Sequence, residues 1–207
     1  MQRFVLQENI RLLSSRLASA GGADERRRIQ LILTAVKREL ALLGSTQDGV
    51  LTLASKVQRP GENKARAELI AWFHREYAHS PKLASLIDPA PGLVFVEVNE
   101  TYCLATGLPH DEIVGQSLFS RFPENPDDPA ADGLHNFFMS LRKVAKTGQP
   151  DTMELLRYDV QDPGGGFRER YWRPVTSPLV DEAGNLVFLL QEVEEVTEEV
   201  LAGRSAA

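Results

Sequence analysis

Asp127, Asp128 and Asp132 are the residues whose types and spacing most invite a chemical reading. Neighbouring carboxylates can hold a metal ion or exchange a proton, but only when a fold presses them together and partly desolvates them. These three sit among Pro126, Pro129 and two alanines, which is the composition of a solvated turn. His74 and His79 are five residues apart, a poor spacing for one metal ion on one helix face. Cys103 is the single cysteine, so an internal disulfide and a multi-cysteine zinc site are excluded. The sequence has no Gly-x-Ser-x-Gly, no His-Glu-x-x-His and no phosphate loop, and no Ser/His/Asp group in a recognisable context. These residue types point to recognition rather than catalysis; no enzyme and no metal site is expected.

Composition narrows the partners. Of 207 residues, 43% are hydrophobic and 25% charged, ordinary for a globular protein. The net charge of −6 argues against a nucleic-acid binder, which needs a basic field or stripe. Arg26-Arg27-Arg28 follows Asp24-Glu25 and is partly compensated. Residues 1–80 carry 13 basic and 8 acidic side chains, a balance of +5, while residues 81–207 carry 10 and 21, a balance of −11. Segments of opposite sign attract within a chain or across a dimer, or are simply two solvated surfaces of different composition. No apolar run approaches the ~20 residues that span a bilayer, and the N-terminus is not a signal-peptide core. A cytoplasmic protein without membrane or nucleic-acid partners is expected, and the lone cysteine fits a reducing compartment.

The elements that must position any site follow from periodicity. Leu6, Ile10, Leu13, Leu17 and Ala20, then Ile29, Leu33, Val36, Leu40 and Leu43, each form one apolar stripe at helical spacing. Gly21-Gly22 separates the two helices, Asp24 reads as the N-cap of the second, and Gly44 reads as its C′ stop. The result is a helical hairpin whose stripes need a third surface. That surface is either the rest of the chain or a second copy, giving a four-helix bundle. The narrow, heptad-like stripes favour the second copy, with Leu6, Ile10, Leu13, Leu17, Ile29, Leu33, Val36 and Leu40 as the interface. Turn signals at residues 46–49 and 59–61 flank a short apolar stretch, residues 50–54. Residues 62–78 read as a third helix with Leu69, Phe73 and Tyr77 on one face.

Beyond residue 80 the period changes. Residues 82–87 and 93–98 read as a β-hairpin around a Pro/Gly turn, residues 137–146 as a helix, and residues 152–160, 167–175 and 186–193 as three strands. Strands at both ends with helices between them imply an α+β domain, an antiparallel sheet with helices on one face.

Several words in this segment resemble those of the PAS domain family. Val98-Asn99, then Glu100-Thr-Tyr102 and Ala105-Thr-Gly107, resemble its usual "VNxxF/Y…TG". His110-Asp-Glu-Ile-Val-Gly115 resembles "xxEIVG", Ala145-Lys-Thr-Gly148 the end of its long helix, and Glu195-Val-Thr197 its Asp-Ile/Val-Thr. Residues 119–133, Arg157-Tyr-Asp-Val160 and Tyr171-Trp-Arg-Pro-Val175 resemble a subtype found before bacterial histidine kinases. The resemblance covers about residues 80–198. It implies a five-stranded antiparallel sheet with short helices on one face, here preceded by the helical hairpin (1–45) and a linker with a flanking helix (46–79), and followed by a tail (199–207). Asn99 would cap the next helix or brace its turn, Gly107 and Gly115 would take positive φ, and Thr197 would close the motif.

The family implies sensing or docking. A pocket between sheet and helices would draw on Tyr102, Phe119, Phe122, Phe138, Leu141, Tyr158 and Trp172, with Arg157 and Arg173 as anchors for an anionic ligand; the alternative is that these aromatics fill a closed core. Flavin photochemistry of the light-oxygen-voltage branch needs a cysteine where this chain reads Ser117-Leu-Phe-Ser-Arg-Phe122, and Cys103 is on the preceding helix, so it is not expected. Haem is not expected either, because His135 is the sole candidate ligand. Only ten residues follow Thr197, with no output module among them. A stand-alone sensor would then act through a partner, such as a histidine kinase or response regulator, or through a homodimer of its N-terminal helices. A ligand-free adaptor or dimerisation module is the alternative.

Overall fold

A two-glycine link folds the first two helices back on each other. In the computed structural model, which describes residues 1–50, 62–122, 125, 128, 131–161 and 164–205, α1 (Gln2–Ser19) and α2 (Ala23–Gln47) form an antiparallel hairpin. Gln2 Nε2 donates to Glu39 Oε1 at 3.2 Å across its open end, and Arg26 Nε donates to the Ala20 carbonyl at 2.9 Å at its closed end. Asp24 lies in the first turn of α2 rather than at its cap, because the helix already begins at Ala23 after Gly22. There its charge still favours the positive helix end. Gly44 does not stop α2. The helix runs on to Gln47, and the positive φ of +61° falls at Gly49. The expected turn at residues 59–61, most of the 50–54 stretch and Asp127 lie outside the described residues.

The chain continues with α3 (Glu62–Tyr77), β1 (Leu83–Ile87), β2 (Phe95–Val98), α4 (Glu100–Thr106), α5 (His110–Ile113), α6 (Leu118–Arg121) and α7 (Gly133–Thr147). Then come β3 (Asp151–Thr152), β4 (Leu156–Arg157), β5 (Val160–Gln161), β6 (Phe167–Arg168), β7 (Tyr171–Val180), β8 (Leu186–Glu195) and α8 (Thr197–Ser205). The main sheet is antiparallel, ordered β2-β1-β8-β7-β3, with β4 as a sixth strand that also pairs with β7. β5 and β6 form a separate two-stranded ribbon.

Two of the expected strands are therefore redrawn. Residues 152–160 break into three short pieces, and β7 starts at Tyr171 and continues past Val175 through Pro178 to Val180. Prolines explain both. The backbone of Tyr171 faces β8, since Val196 N–H donates to its carbonyl, whereas the Pro174 carbonyl accepts from Met153 N–H on the other side. Pro174 and Pro178 thus turn their missing N–H away from β8 and leave its ladder intact, and Pro174 falls between the β3 and β4 pairings. The strand on the proline side is the one that fragments.

The sheet buries both faces. Leu83, Ile87, Trp172 and Leu189 pack under α4–α7 with Phe95, Phe119, Phe137 and Leu141. On the other face Ala84, Leu86, Phe188 and Leu190 pack against Phe73, Leu69 and Tyr77 of α3.

Candidate functional site

Asn99 fixes the first wall of the site. Its Oδ1 accepts from Tyr102 N–H at 3.0 Å, capping α4, and from Ala84 N–H of β1 at 3.1 Å. Its Nδ2 donates to the carbonyls of Lys82 at 2.8 Å and Tyr77 at 3.1 Å. One buried amide thereby ties α4 to β1 and to the end of α3. Gly107 closes α4 at φ +69°, and Gly115 takes φ +84°. At the far end of the sheet, Thr197 Oγ1 accepts from Tyr171 N–H at 3.0 Å where α8 leaves β8.

Between sheet and helices lies an apolar cavity of about 80 Å³. Leu83, Trp172, Pro174, Gln191 and Val193 line it from the sheet; Tyr102 and Thr106 of α4, Leu118 and Phe119 of α6, Phe122 just after α6, and Phe137 of α7 enclose it with Leu156, Tyr158 and Val160. None of these described residues is charged. The Tyr158 hydroxyl donates to the Phe122 carbonyl, Trp172 Nε1 donates to the Tyr158 carbonyl at 2.8 Å, and Thr106 Oγ1 donates to the Tyr102 carbonyl at 2.9 Å. Burial pushes the Tyr102 hydroxyl far above its ordinary value, so it stays a neutral donor. Thr106, Phe122 and Val160 also border a larger, more polar cleft of about 260 Å³ that includes Glu112, Arg121 and Asp159.

Of the expected pocket residues, Tyr102, Phe119, Phe122, Tyr158 and Trp172 meet at this cavity. Four do not. Leu141 is fully buried core. Phe138 turns toward α2, where a Cβ on Gly44 would stand 2.9 Å from its ring. Arg157 pairs outside the cavity with Asp159 at 3.1 Å and Asp128 at 3.0 Å; the Asp159 hydrogen bond is the main reason its pKa is raised. Arg173 pairs with Glu199 at 2.6 Å and Glu194 at 3.7 Å. An anion therefore finds no guanidinium in this cavity. The reason is register: Arg157 and Arg173 alternate with Leu156 and Trp172, which face inward.

His135 is in the first turn of α7 but not at the cavity; its Nδ1 lies 3.3 Å from the Lys37 carbonyl of α2, and burial, then Lys37, lowers its pKa. Cys103 is half-buried on α4, and burial raises its thiol. Among the described residues no His/Cys/Asp/Glu group has a metal-binding arrangement, and no helix is long and apolar enough to cross a membrane.

Sequence reasoning missed Gln191, Thr106 and Phe137. Gln191 carried a usable signal, being polar at an inward position of an otherwise apolar alternation, Leu189-Gln191-Val193. In the hairpin, Leu6 and Leu33 are buried and Ile10, Leu13, Leu17, Ile29, Val36 and Leu40 half-buried, whereas Phe4, Val5, Leu12 and Ile32 are exposed.

An antiparallel sheet half-wrapped by short helices thus encloses an uncharged cavity. The family described as PAS fold matches residues 75–193, more than half of the chain, and the chain belongs to that family. Its domains are sensory and regulatory modules of signal transduction. Solved structures similar to it include a light-oxygen-voltage domain studied with a flavin analogue, at 20% identity and TM-score 0.46, covering 67% of this chain and 92% of that one. Another is the PAS domain of a protein from Colwellia psychrerythraea, at 12% identity and TM-score 0.48, covering 63% and 98%. A third is an RNA-binding light-oxygen-voltage receptor, at 21% identity and TM-score 0.48, covering 91% of this chain and 48% of that one, so this chain spans about half its length. No curated protein matches the sequence.

Proposed function

We propose that this chain is a sensory or regulatory protein whose PAS domain binds a small uncharged molecule and acts through protein–protein contacts made by its N-terminal helices. The observation that carries the reading is the division of α7 between two neighbours. Phe137 lines the cavity, while the next residue, Phe138, packs under Gly44 of α2. On the same helix His135 meets the Lys37 carbonyl, and just before it Arg38 Nη2 donates to the Ala131 carbonyl at 2.9 Å. Filling the cavity displaces Phe137, and a rigid helix transmits that displacement to α2. Residues 1–45 are then the output surface, 80–198 the sensor, 46–79 the connection between them, and 199–207 a tail.

A second copy of the chain is the first partner proposed for the hairpin. The exposed Phe4, Val5, Leu12 and Ile32 support it, and a histidine kinase or response regulator is the alternative partner. Recognition without catalysis is the accompanying reading, since the described lining offers neither a charged acid–base pair nor an activated nucleophile.

The small cavity favours a second reading. About 80 Å³ is far below the ~300–1,000 Å³ of pockets for drug-sized ligands, so a closed core serving as an adaptor fits it too. Native mass spectrometry of the protein purified from its own host separates the two. A bound small molecule, with slower amide exchange in both α7 and α2 than in the stripped protein, supports the sensor. A ligand-free protein that still captures its signalling partner supports the adaptor.

A further inference from the structure

Two polar groups at the cavity have no side-chain partner among the described residues. Five side chains with polar atoms line it, and three of those, Thr106, Tyr158 and Trp172, donate to backbone carbonyls. The Tyr102 hydroxyl and the Gln191 amide make no side-chain hydrogen bond to any described residue, although Tyr102 is 8% and Gln191 3% exposed. The neighbours of Gln191 in the sheet do not engage its amide either. Its register partners are Ser85 on β1 and Thr176 on β7, and both of their hydroxyls are buried without a hydrogen-bond partner. Buried polar groups are normally hydrogen-bonded, so a side chain left without a partner at the wall of a cavity marks where a ligand's polar atom belongs.

Resting on the ligand-binding reading above, we infer that the ligand is a neutral, single-ring aromatic molecule bearing a hydroxyl or carbonyl, held at that group by Gln191 and Tyr102. Neutrality follows from the uncharged lining, because an ion in this cavity would lose its water and gain no counter-charge. The aromatic ring follows from the six rings that surround the space, those of Tyr102, Phe119, Phe122, Phe137, Tyr158 and Trp172. Size limits it to one ring. A cavity of roughly 150 Å³ holds benzene, and here about 80 Å³ is open with a cleft of about 260 Å³ directly behind Phe122. A single ring enters when Phe122 turns toward that cleft. Gln191 offers both a donor and an acceptor, and the Tyr102 hydroxyl adds a donor, so either a phenolic hydroxyl or a ketone is matched.

Phenol and toluene, near-equal in size and differing in one polar group, test this in the full chain by ¹H–¹⁵N NMR titration. Phenol is expected to bind at least tenfold more tightly than toluene relative to their partition into an apolar solvent. Gln191→Leu should remove about tenfold of phenol affinity, Tyr102→Phe a smaller share, and neither should weaken toluene, whose binding also reports that the variants are folded. If phenol and toluene bind alike and the variants change nothing, solvent satisfies the amide and the polar recognition is overturned while the cavity stands. If neither probe binds the wild-type chain, the ligand-binding reading falls with it.

Discussion

Gly44 and Phe138 meet across the interface between α2 and α7 at a distance that leaves no room for a side chain. A Cβ on Gly44 would stand 2.9 Å from Phe138 Cζ and 3.0 Å from Cε1. The ring cannot retreat freely, since Phe119 packs edge-on at 6.2 Å and the Arg142 guanidinium lies over it at 5.9 Å. An exposed glycine inside a helix normally gains about 1 kcal/mol when replaced by alanine. Overpacking a core costs about 1–3 kcal/mol. Gly44→Ala is therefore expected to destabilise the protein by about 1 kcal/mol in urea unfolding. A higher midpoint for the variant would mean that the hairpin does not sit on α7 in solution.

Asn99 tests whether one amide holds three elements. A helix cap on its own is worth about 1 kcal/mol. Replacing Asn99 by alanine also strands the buried Ala84 N–H and removes the donor to the Tyr77 and Lys82 carbonyls. The expected loss is about 2–4 kcal/mol, with the largest rise in amide exchange at the end of α3 and the start of α4. A loss near 1 kcal/mol, confined to α4, would reduce Asn99 to a cap.

Asp151 sets an acid limb on stability. Lys143 and then Ser140 of α7 donate to its carboxylate and hold it below its ordinary value of 3.8. A carboxylate whose folded pKa is depressed adds stability above the unfolded value and loses it as pH falls through the folded one. Asp151→Asn should be less stable than wild type at pH 7, and the gap should close as pH falls below about 4. Stability curves that stay parallel as pH falls through the acid limb would show that the α7–β3 contact does not depend on this charge.

The residues that were legible in the sequence are those whose role is local. Asn99 before Glu100-Thr-Tyr102 announces a cap, Gly107 a left-handed helix end, and Leu69, Phe73 and Tyr77 a buried stripe, and each needs only a few neighbouring positions to be read. What escaped depended on distant partners. Gly44 has the composition of a helix stop, yet it is a notch for Phe138, 94 positions away. The strand expected to end at residue 175 runs on through Pro178, because the missing N–H of that proline faces away from β8 and lies beyond the β3 pairing at Val175 and Thr176. Arg157 and Arg173 have the chemistry of anion anchors, but the sheet register turns them outward, a choice that alternation alone leaves open.

Phe122 separates the apolar cavity from the polar cleft, and its removal should join the two. Its ring packs edge-on against Phe95 at 5.8 Å and Tyr102 at 6.1 Å, and it borders both spaces together with Thr106 and Val160. Being only half-buried, it holds the Phe122→Ala cost below the ~3–5 kcal/mol of a fully enclosed phenylalanine, so about 1–3 kcal/mol is expected. The added volume lies where an incoming ring must pass. Toluene should therefore bind the variant faster and more tightly than it binds the wild type, in NMR lineshape and titration measurements. Leu141→Ala, which opens space in the core away from the cleft, is the control that loses stability without the faster association. Equal association rates for wild type and Phe122→Ala would move the way into the cavity elsewhere, away from the α4–β5 edge.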